Sequence, residues 1–290
     1  MNGRTTTGTG QDIWTLRCGE RPGGGPGRPT EDHIVVLPEA VAVLDGVSTV
    51  TDEAPLGGWY ARTLGGVLAE HLTRHPSLPL PVLLAASIAA VSTGHGLRPG
   101  HGPAATVAVV RRTGELLEAA VLGDSPVVAL GRDGSVHHLS DDRLATLLDP
   151  RPQTAEYRAR LAAGSGFDRR HHELMRELRA YQHTVLNRPG GYWVAEATPE
   201  AGLHARTAAW PLAGLTDVLL LTDGVSSAVT DHHLLDWPAL AATSRRTHPQ
   251  QVVDTLHDTE AADPDAIAWP RAKPHDDKAL AHLLLDLVDG

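Results

Sequence analysis

Short apolar runs that end at Gly, Pro or Asp alternate along this chain with longer segments whose apolar residues recur every three or four positions. Ile34 to Leu37 and Ala40 to Leu44 read as two strands joined at Pro38, the second stopping at Asp45-Gly46. Trp59 to Leu72 carries Leu64, Val67, Leu68 and Leu72 at helical spacing, and Pro81 to Ser92 is apolar on most faces, so two helices are predicted there. Strands follow at Ala105 to Val110, Leu116 to Leu122 and Val127 to Leu130, with Gly131 to Gly134 closing the series. From Asp141 to Asn187 the pattern is helical, with Leu174, Leu178, Tyr181 and Val185 forming a packing stripe. Strand patterns resume at Tyr192 to Ala197, His204 to Ala209 and Val218 to Leu221. A helical region from Leu234 to Thr259, broken near Pro238 and Pro249, precedes a last strand at Ala279 to Leu287. Residues 1 to about 30 hold Thr-Gly repeats and the run from Arg21 to Arg28, rich in Gly and Pro, which predicts a flexible N-terminal arm. Strands in runs with helices grouped between them predict an α+β fold. The expected form is a two-sheet antiparallel β-sandwich flanked by helices on its outer faces, in a single domain over 31–290.

Composition narrows this picture. Hydrophobic residues make up 41% of the chain and aromatics only 4%, so the core is expected from Leu, Val and Ala. The 25 basic and 35 acidic residues leave a net charge of −10, which argues against nucleic-acid and anionic-membrane partners and suits a protein that gathers carboxylates around cations. Cys18 is the one cysteine and has no intramolecular partner, as in a reducing compartment. The N-terminus lacks the basic-then-apolar order of a signal peptide. The longest apolar stretch, Leu80 to Val91, is shorter than the roughly 20 residues that span a bilayer, so the expected location is cytoplasmic.

One feature recurs and carries chemistry: an apolar strand that ends in an acidic turn. It appears at Val43-Leu44-Asp45-Gly46, at Val121-Leu122-Gly123-Asp124-Ser125 and at Leu220-Leu221-Thr222-Asp223-Gly224. Asp276-Asp277 stands just before the last strand and Glu31-Asp32 just before the first. Carboxylates gathered on one rim of a sheet repel one another and raise each other's pKa unless cations neutralise them. Hard divalent ions with oxygen ligands meet that need, and glycine beside the acid lets a backbone carbonyl approach as well. The seventeen histidines offer no closed zinc spacing; the pairs His137-His138, His171-His172 and His232-His233 are adjacent and point apart. His275, beside Asp276, is a candidate for proton handling. The loop Gly94 to Gly102 lacks the Gly-Lys-Ser/Thr ending of a nucleotide loop and reads as a connector.

In this order and spacing the acidic turns, together with Arg28, resemble the protein phosphatase 2C family over about Arg28 to Leu285. The resemblance implies magnesium or manganese as cofactor, as two ions and in some members a third. It implies that Asp45 bridges two metals with help from the Gly46 carbonyl, and that Asp223 and Asp276 bind the other metal, Asp277 being the alternative if the register slips by one. Asp124 with Asp223 would hold the third ion. Asp32 with Glu31 would orient a metal-bound water, and Arg28 would grip the substrate phosphate. The implied reaction is attack by metal-activated hydroxide on a phosphomonoester, most naturally phosphoserine or phosphothreonine in a phosphorylated protein partner. Val47-Ser48-Thr49, Pro126, Ala279 and the helical stretch from Asp141 to Asn187 depart from the family pattern and suggest a divergent branch. Abundant Ala, Gly and Arg with only Lys273 and Lys278 for lysine suggest a bacterial genome of high G+C content. A regulatory module without turnover and a small-ester phosphatase are the alternatives.

Overall fold

The computed structural model describes residues 5–6, 14–24, 27–47 and 56–285. One sheet holds β3 (His33–Leu37), β4 (Ala40–Val47), β5 (Ala104–Thr113), β6 (Leu116–Leu122) and β9 (Arg206–Pro211), in the order β3-β4-β5-β6-β9. The other holds β1 (Thr5–Thr6), β2 (Thr15–Arg21), β7 (Val127–Gly131), β8 (Val136–Leu139), β10 (Leu215–Leu221) and β11 (Lys278–Leu284), in the order β1-β2-β11-β10-β7-β8. All pairings are antiparallel.

Alternation along the strands divides the core into layers. Val41 and Val43 of β4, Ala108 and Val110 of β5, and Val218 and Leu220 of β10 meet between the sheets. Their neighbours Ala42, Leu44, Val107 and Val109 turn outward onto helices α1 (Leu56–Arg74) and α2 (Leu80–His95). On the far side, Leu219, Leu221 and Leu280 pack on α6 (Asp223–Thr230), α7 (Trp237–Thr247) and α8 (Pro249–Ala261). The central strands are therefore buried on both faces and read as continuous apolar runs. Pro238 and Pro249, where the sequence predicts breaks, lie in the first turns of α7 and α8, where proline fits because its missing N–H is not needed.

Besides β8, which follows the Gly131–Gly134 turn where the sequence predicts the strand series to close, three features differ from the sequence reading. Thr15–Arg21 is a strand in full register with β11, from Thr15 opposite Leu284 to Arg21 opposite Lys278, so this part of the expected N-terminal arm is sheet. Its pattern is weak because Leu16 and Gly19 are its only fully buried positions; the pairing comes from residues more than 250 positions away. Tyr192–Ala197 is not a strand but an irregular segment tied by single bridges, Leu186 to Tyr192 and Ala105 to Ala195. Helix α6 begins at Asp223, well before the predicted start at Leu234. The helical stretch is three helices, α3 (Arg143–Leu148), α4 (Pro152–Ala162) and α5 (Arg169–Val185), with Asp168 capping α5 through the His171 amide at 2.9 Å. Among the described residues, no helix is long and apolar enough to cross a membrane.

Candidate metal centre

Antiparallel pairing explains why the acidic turns converge. The start of β3, the end of β4 and the end of β6 fall on one rim of their sheet, and the end of β10 faces the start of β11 on the same rim of the other. Asp32, Asp45, Asp124, Asp223 and Asp276 sit at those five ends. The glycines serve close packing. A Cβ on Gly224 would lie 2.0 Å from the Asp277 carbonyl oxygen, and one on Gly46 would lie 2.4 Å from the backbone of Gly57 at the start of α1.

The rim is electrostatically unsatisfied. Burial first, and then the Asp223, Asp32 and Asp276 carboxylates, pushes the Asp45 pKa well above the ordinary range. Asp223 is raised by burial and by Asp124, and its carboxyl lies within hydrogen-bonding reach of Asp45. Burial and Asp223 push Asp276 up to about 7. Burial and its acidic neighbours likewise raise Asp32 and Asp124. One oxygen each of Asp32 and Asp223 is buried without a hydrogen-bond partner. Groups of this kind could donate oxygens to a divalent cation. An all-oxygen set suits magnesium or manganese better than a metal preferring nitrogen or sulfur.

Asp276 and Asp277 divide their work. Asp277 accepts hydrogen bonds from the Gly23 amide at 2.5 Å and the Glu31 amide at 2.6 Å, which spends both its oxygens on the chain before β3. Asp276 instead faces Asp223 and receives the Lys273 ammonium at 2.5 Å. Asp32 is 2% exposed and accepts from the Thr222 hydroxyl at 2.9 Å, which in turn accepts from the Ala279 amide at 2.9 Å. It therefore lies under the rim rather than in the open cavity.

That cavity, about 690 Å³, is lined on one side by Glu31, Asp45, Gly46, Asp124 and Asp223. Its opposite wall comes from α5 and from Gly100 to Gly102 in the loop that follows α2, a helix that takes in Gly94 and His95 of the expected connector. Glu196 accepts from the Gly100 amide at 2.7 Å, and His183 of α5 donates to the Gly100 carbonyl at 2.8 Å, so the loop anchors the helical wall. Asp141, held by a two-pronged pair with Arg143, also faces Asp124. Trp193 is 4% exposed, borders this cavity and stacks on His204 at 3.7 Å between ring centres. Arg28 does not line this cavity; it lines a smaller neighbour. His275 turns toward Glu260 at 3.0 Å and stacks on His257, facing α8 and not the carboxylates. Cys18 sits in β2, where burial pushes its thiol up to about 12 and leaves it unreactive. Lys273, Asp141 and Glu196 were not singled out by the sequence, since nothing local to them signals the cavity. The nearest sequence hint was that Lys273 is one of only two lysines.

Comparison with known proteins follows the same lines. The family described as Protein phosphatase 2C matches residues 40–259. No curated protein matches the chain. Among solved structures, the serine/threonine phosphatase PstP/Ppp of Mycobacterium tuberculosis is 17% identical with a TM-score of 0.57, covering 95% of this chain and 100% of its own. The serine/threonine phosphatase Stp1 of Staphylococcus aureus is 11% identical with a TM-score of 0.57, over 97% and 100%. The catalytic domain of PstP in complex with two manganese ions is 17% identical with a TM-score of 0.55, over 94% and 98%.

Proposed function

Because this chain belongs to the protein phosphatase 2C family, we propose that it is a metal-dependent phosphatase acting on phosphoserine and phosphothreonine of proteins in the cytoplasm. The observation that carries this reading is the gathering of five aspartates with raised pKa values on one rim, two of them with a buried oxygen lacking a partner. Asp45, the Gly46 carbonyl, Asp223 and Asp276 would hold two magnesium or manganese ions, and Asp124 with Asp223 a third; the PstP structure with two manganese ions supports the choice of metal. Such ions, when bound, lower the pKa of a coordinated water and screen the charge of a phosphate.

The chain's own residues supply position. Thr222 fixes one oxygen of Asp32 and leaves the other to orient a water from beneath the rim. Glu31 is held at the cavity edge through its amide by Asp277. Arg28, in the adjoining pocket, offers a planar fork to phosphate oxygens. The wall of α5 and the Gly100–Gly102 segment would limit solvent around the reacting group.

One observation favours a second reading. The Lys273 ammonium already sits on Asp276, near Asp45 and Asp223, and neutralises part of the charge a metal would neutralise. A regulatory module that keeps the fold without turnover would retain such a lysine. Hydrolysis of p-nitrophenyl phosphate and a phosphothreonine peptide, with manganese, magnesium or chelator, separates the readings. The phosphatase reading expects metal-dependent turnover that falls at least about 100-fold in Asp223→Ala. Inactivity with every metal, in protein with a native circular dichroism spectrum, would overturn it. A higher rate on the small ester than on the peptide would point to a small-molecule substrate.

A further inference from the structure

Beside the carboxylate cavity lies a second pocket of about 420 Å³, and Glu31, Arg179 and Lys273 line both. Four separate segments bring cations to the second pocket: Arg28 before β3, Arg62 in α1, Arg179 in α5 and Lys273 before β11. Carboxylates exceed basic groups by ten in this chain, and half of the described arginines pair with a carboxylate. Arg21 meets Asp254 at 2.9 Å, Arg158 meets Asp149 at 3.1 Å, and Arg170 meets Glu156 at 2.8 Å. Arg28, Arg62 and Arg179 differ: among the described residues none has a carboxylate within 4.0 Å, and Arg62 reaches only as far as the Thr30 carbonyl at 3.5 Å. Two acids, Glu31 and Asp277, also line the pocket and leave its four cations in excess. Both Asp277 oxygens turn to the Gly23 and Glu31 amides and away from the guanidinium groups.

With Arg28 assigned to the phosphate being cleaved, the unpaired guanidinium groups of Arg62 and Arg179 on the same concave site remain to receive a further anion. We propose that this pocket is a specificity subsite for a second anionic group, a phosphate or a carboxylate side chain, carried by the phosphoprotein substrate next to the residue being dephosphorylated. The identity of the cleaved group rests on the phosphatase reading above; capture of the second anion does not. Arg62 and Arg179 lie outside the proposed metal ligands and belong to this subsite. A small ester fills the carboxylate cavity alone and is indifferent to Arg62, which lines the second pocket and not that cavity.

Three phosphothreonine peptides test this: one with neutral flanks, one with aspartates beside the phosphothreonine, and one with an adjacent second phosphate. The wild type is expected to favour both anionic peptides in kcat/KM by about 10-fold or more, chiefly through KM. Arg62→Ala/Arg179→Ala is expected to reduce that preference to about 2-fold or less, Arg62→Ala alone to weaken it while turnover of p-nitrophenyl phosphate stays unchanged, and Arg62→Lys to recover part of it. Preference for the doubly phosphorylated peptide alone would assign the subsite to phosphate; preference for both would assign it to anions generally. Equal rates on all three peptides, or a preference that survives the double substitution, would overturn the proposal. If no substrate is turned over, including the small ester, the phosphatase reading fails separately. The subsite is then read by fluorescence anisotropy of labelled peptides: tighter binding of the anionic peptides that the double substitution removes sustains it, and equal binding overturns it.

Discussion

At Asp223 a buried carboxylate oxygen without a partner sits beside Asp45, Asp124 and Asp276, so this residue is held at a cost to stability that a cation would relieve. Asp223→Asn removes one charge from the rim and is expected to raise the melting temperature in chelator by about 2 °C or more. Saturating manganese should raise the wild-type melting temperature by mass action and leave the variant nearly unmoved; scanning calorimetry of both, with and without metal, checks the pair of effects. Lys273 acts in the opposite sense. Its ammonium meets Asp276 at 2.5 Å, and a divalent ion must bind against that charge. Lys273→Met is therefore expected to tighten manganese binding by about 10-fold at low salt, measured by titration with the electron paramagnetic resonance of free manganese; unchanged affinity would show that the lysine swings clear. The four aspartates proposed as ligands were legible in the sequence because an apolar run stopped by an acidic turn is a local pattern. Lys273 and Asp141 were not, since their place at the cavity depends on a loop and a helix that fold back across it. What favours Asp276 over Asp277 as the proposed ligand, the Gly23 and Glu31 amides on both Asp277 oxygens, depends on the fold and has no local mark in the sequence.

The same two residues give a contrast between elements. Asp277 ties the segment before β3 to the start of β11 through two amides, one on each carboxylate oxygen. Asp277→Ala leaves both amides to find water and is expected to lower stability by about 2–3 kcal/mol, the range for losing hydrogen bonds to a charged group. Thermolysin should then cut the chain between Arg21 and Asp32 faster than in wild type. Asp276→Asn should leave that segment protected and weaken metal binding, so urea midpoints and cleavage rates together separate a clamp from a ligand. Elements were legible where burial is two-sided or strictly helical. Leu116–Leu122 matches its predicted strand at both ends, and α1 and α2 extend their predicted cores by only a few residues. Thr15–Arg21 was hidden because its strand character is conferred by β11, and Tyr192–Ala197 misled because Trp193 and Val194 are buried by the cavity wall rather than by a ladder.

Across the whole molecule two sets of charges oppose each other as pH changes. The rim carboxylates have raised pKa values, Asp276 to about 7, so their ionised forms destabilise the fold and protonation relieves the strain as pH falls. Asp217 behaves in the reverse way. Burial raises its pKa, but bonds from His282, Thr216 and Arg245 outweigh burial and hold it down at about 2. Its Oδ1 accepts from His282 at 2.8 Å and from Arg245 at 2.8 Å, while His282 reaches Ser244 at 2.8 Å, which binds β10 and β11 to α7. Stability from Asp217 is complete above about 3.9 and is lost as pH falls toward 2. His282, whose pKa burial lowers despite Asp217, adds a smaller loss below its ordinary 6.5. In chelator the melting temperature is therefore expected to rise from pH 8 to about 5, where the rim carboxylates outweigh His282 and the more exposed His33, His138, His232, His248 and His257, whose pKa burial also lowers, and to fall below about 4. Saturating manganese should abolish the rise, because ions in place of protons neutralise the rim, and should leave the acid limb intact at pH values where the metal has already dissociated. Asp217→Asn should flatten the acid limb alone. A melting temperature that is level or falling from pH 8 to 5 in chelator would mean that the rim carboxylates are hydrated in solution, and the case for a metal centre there would lose its electrostatic ground.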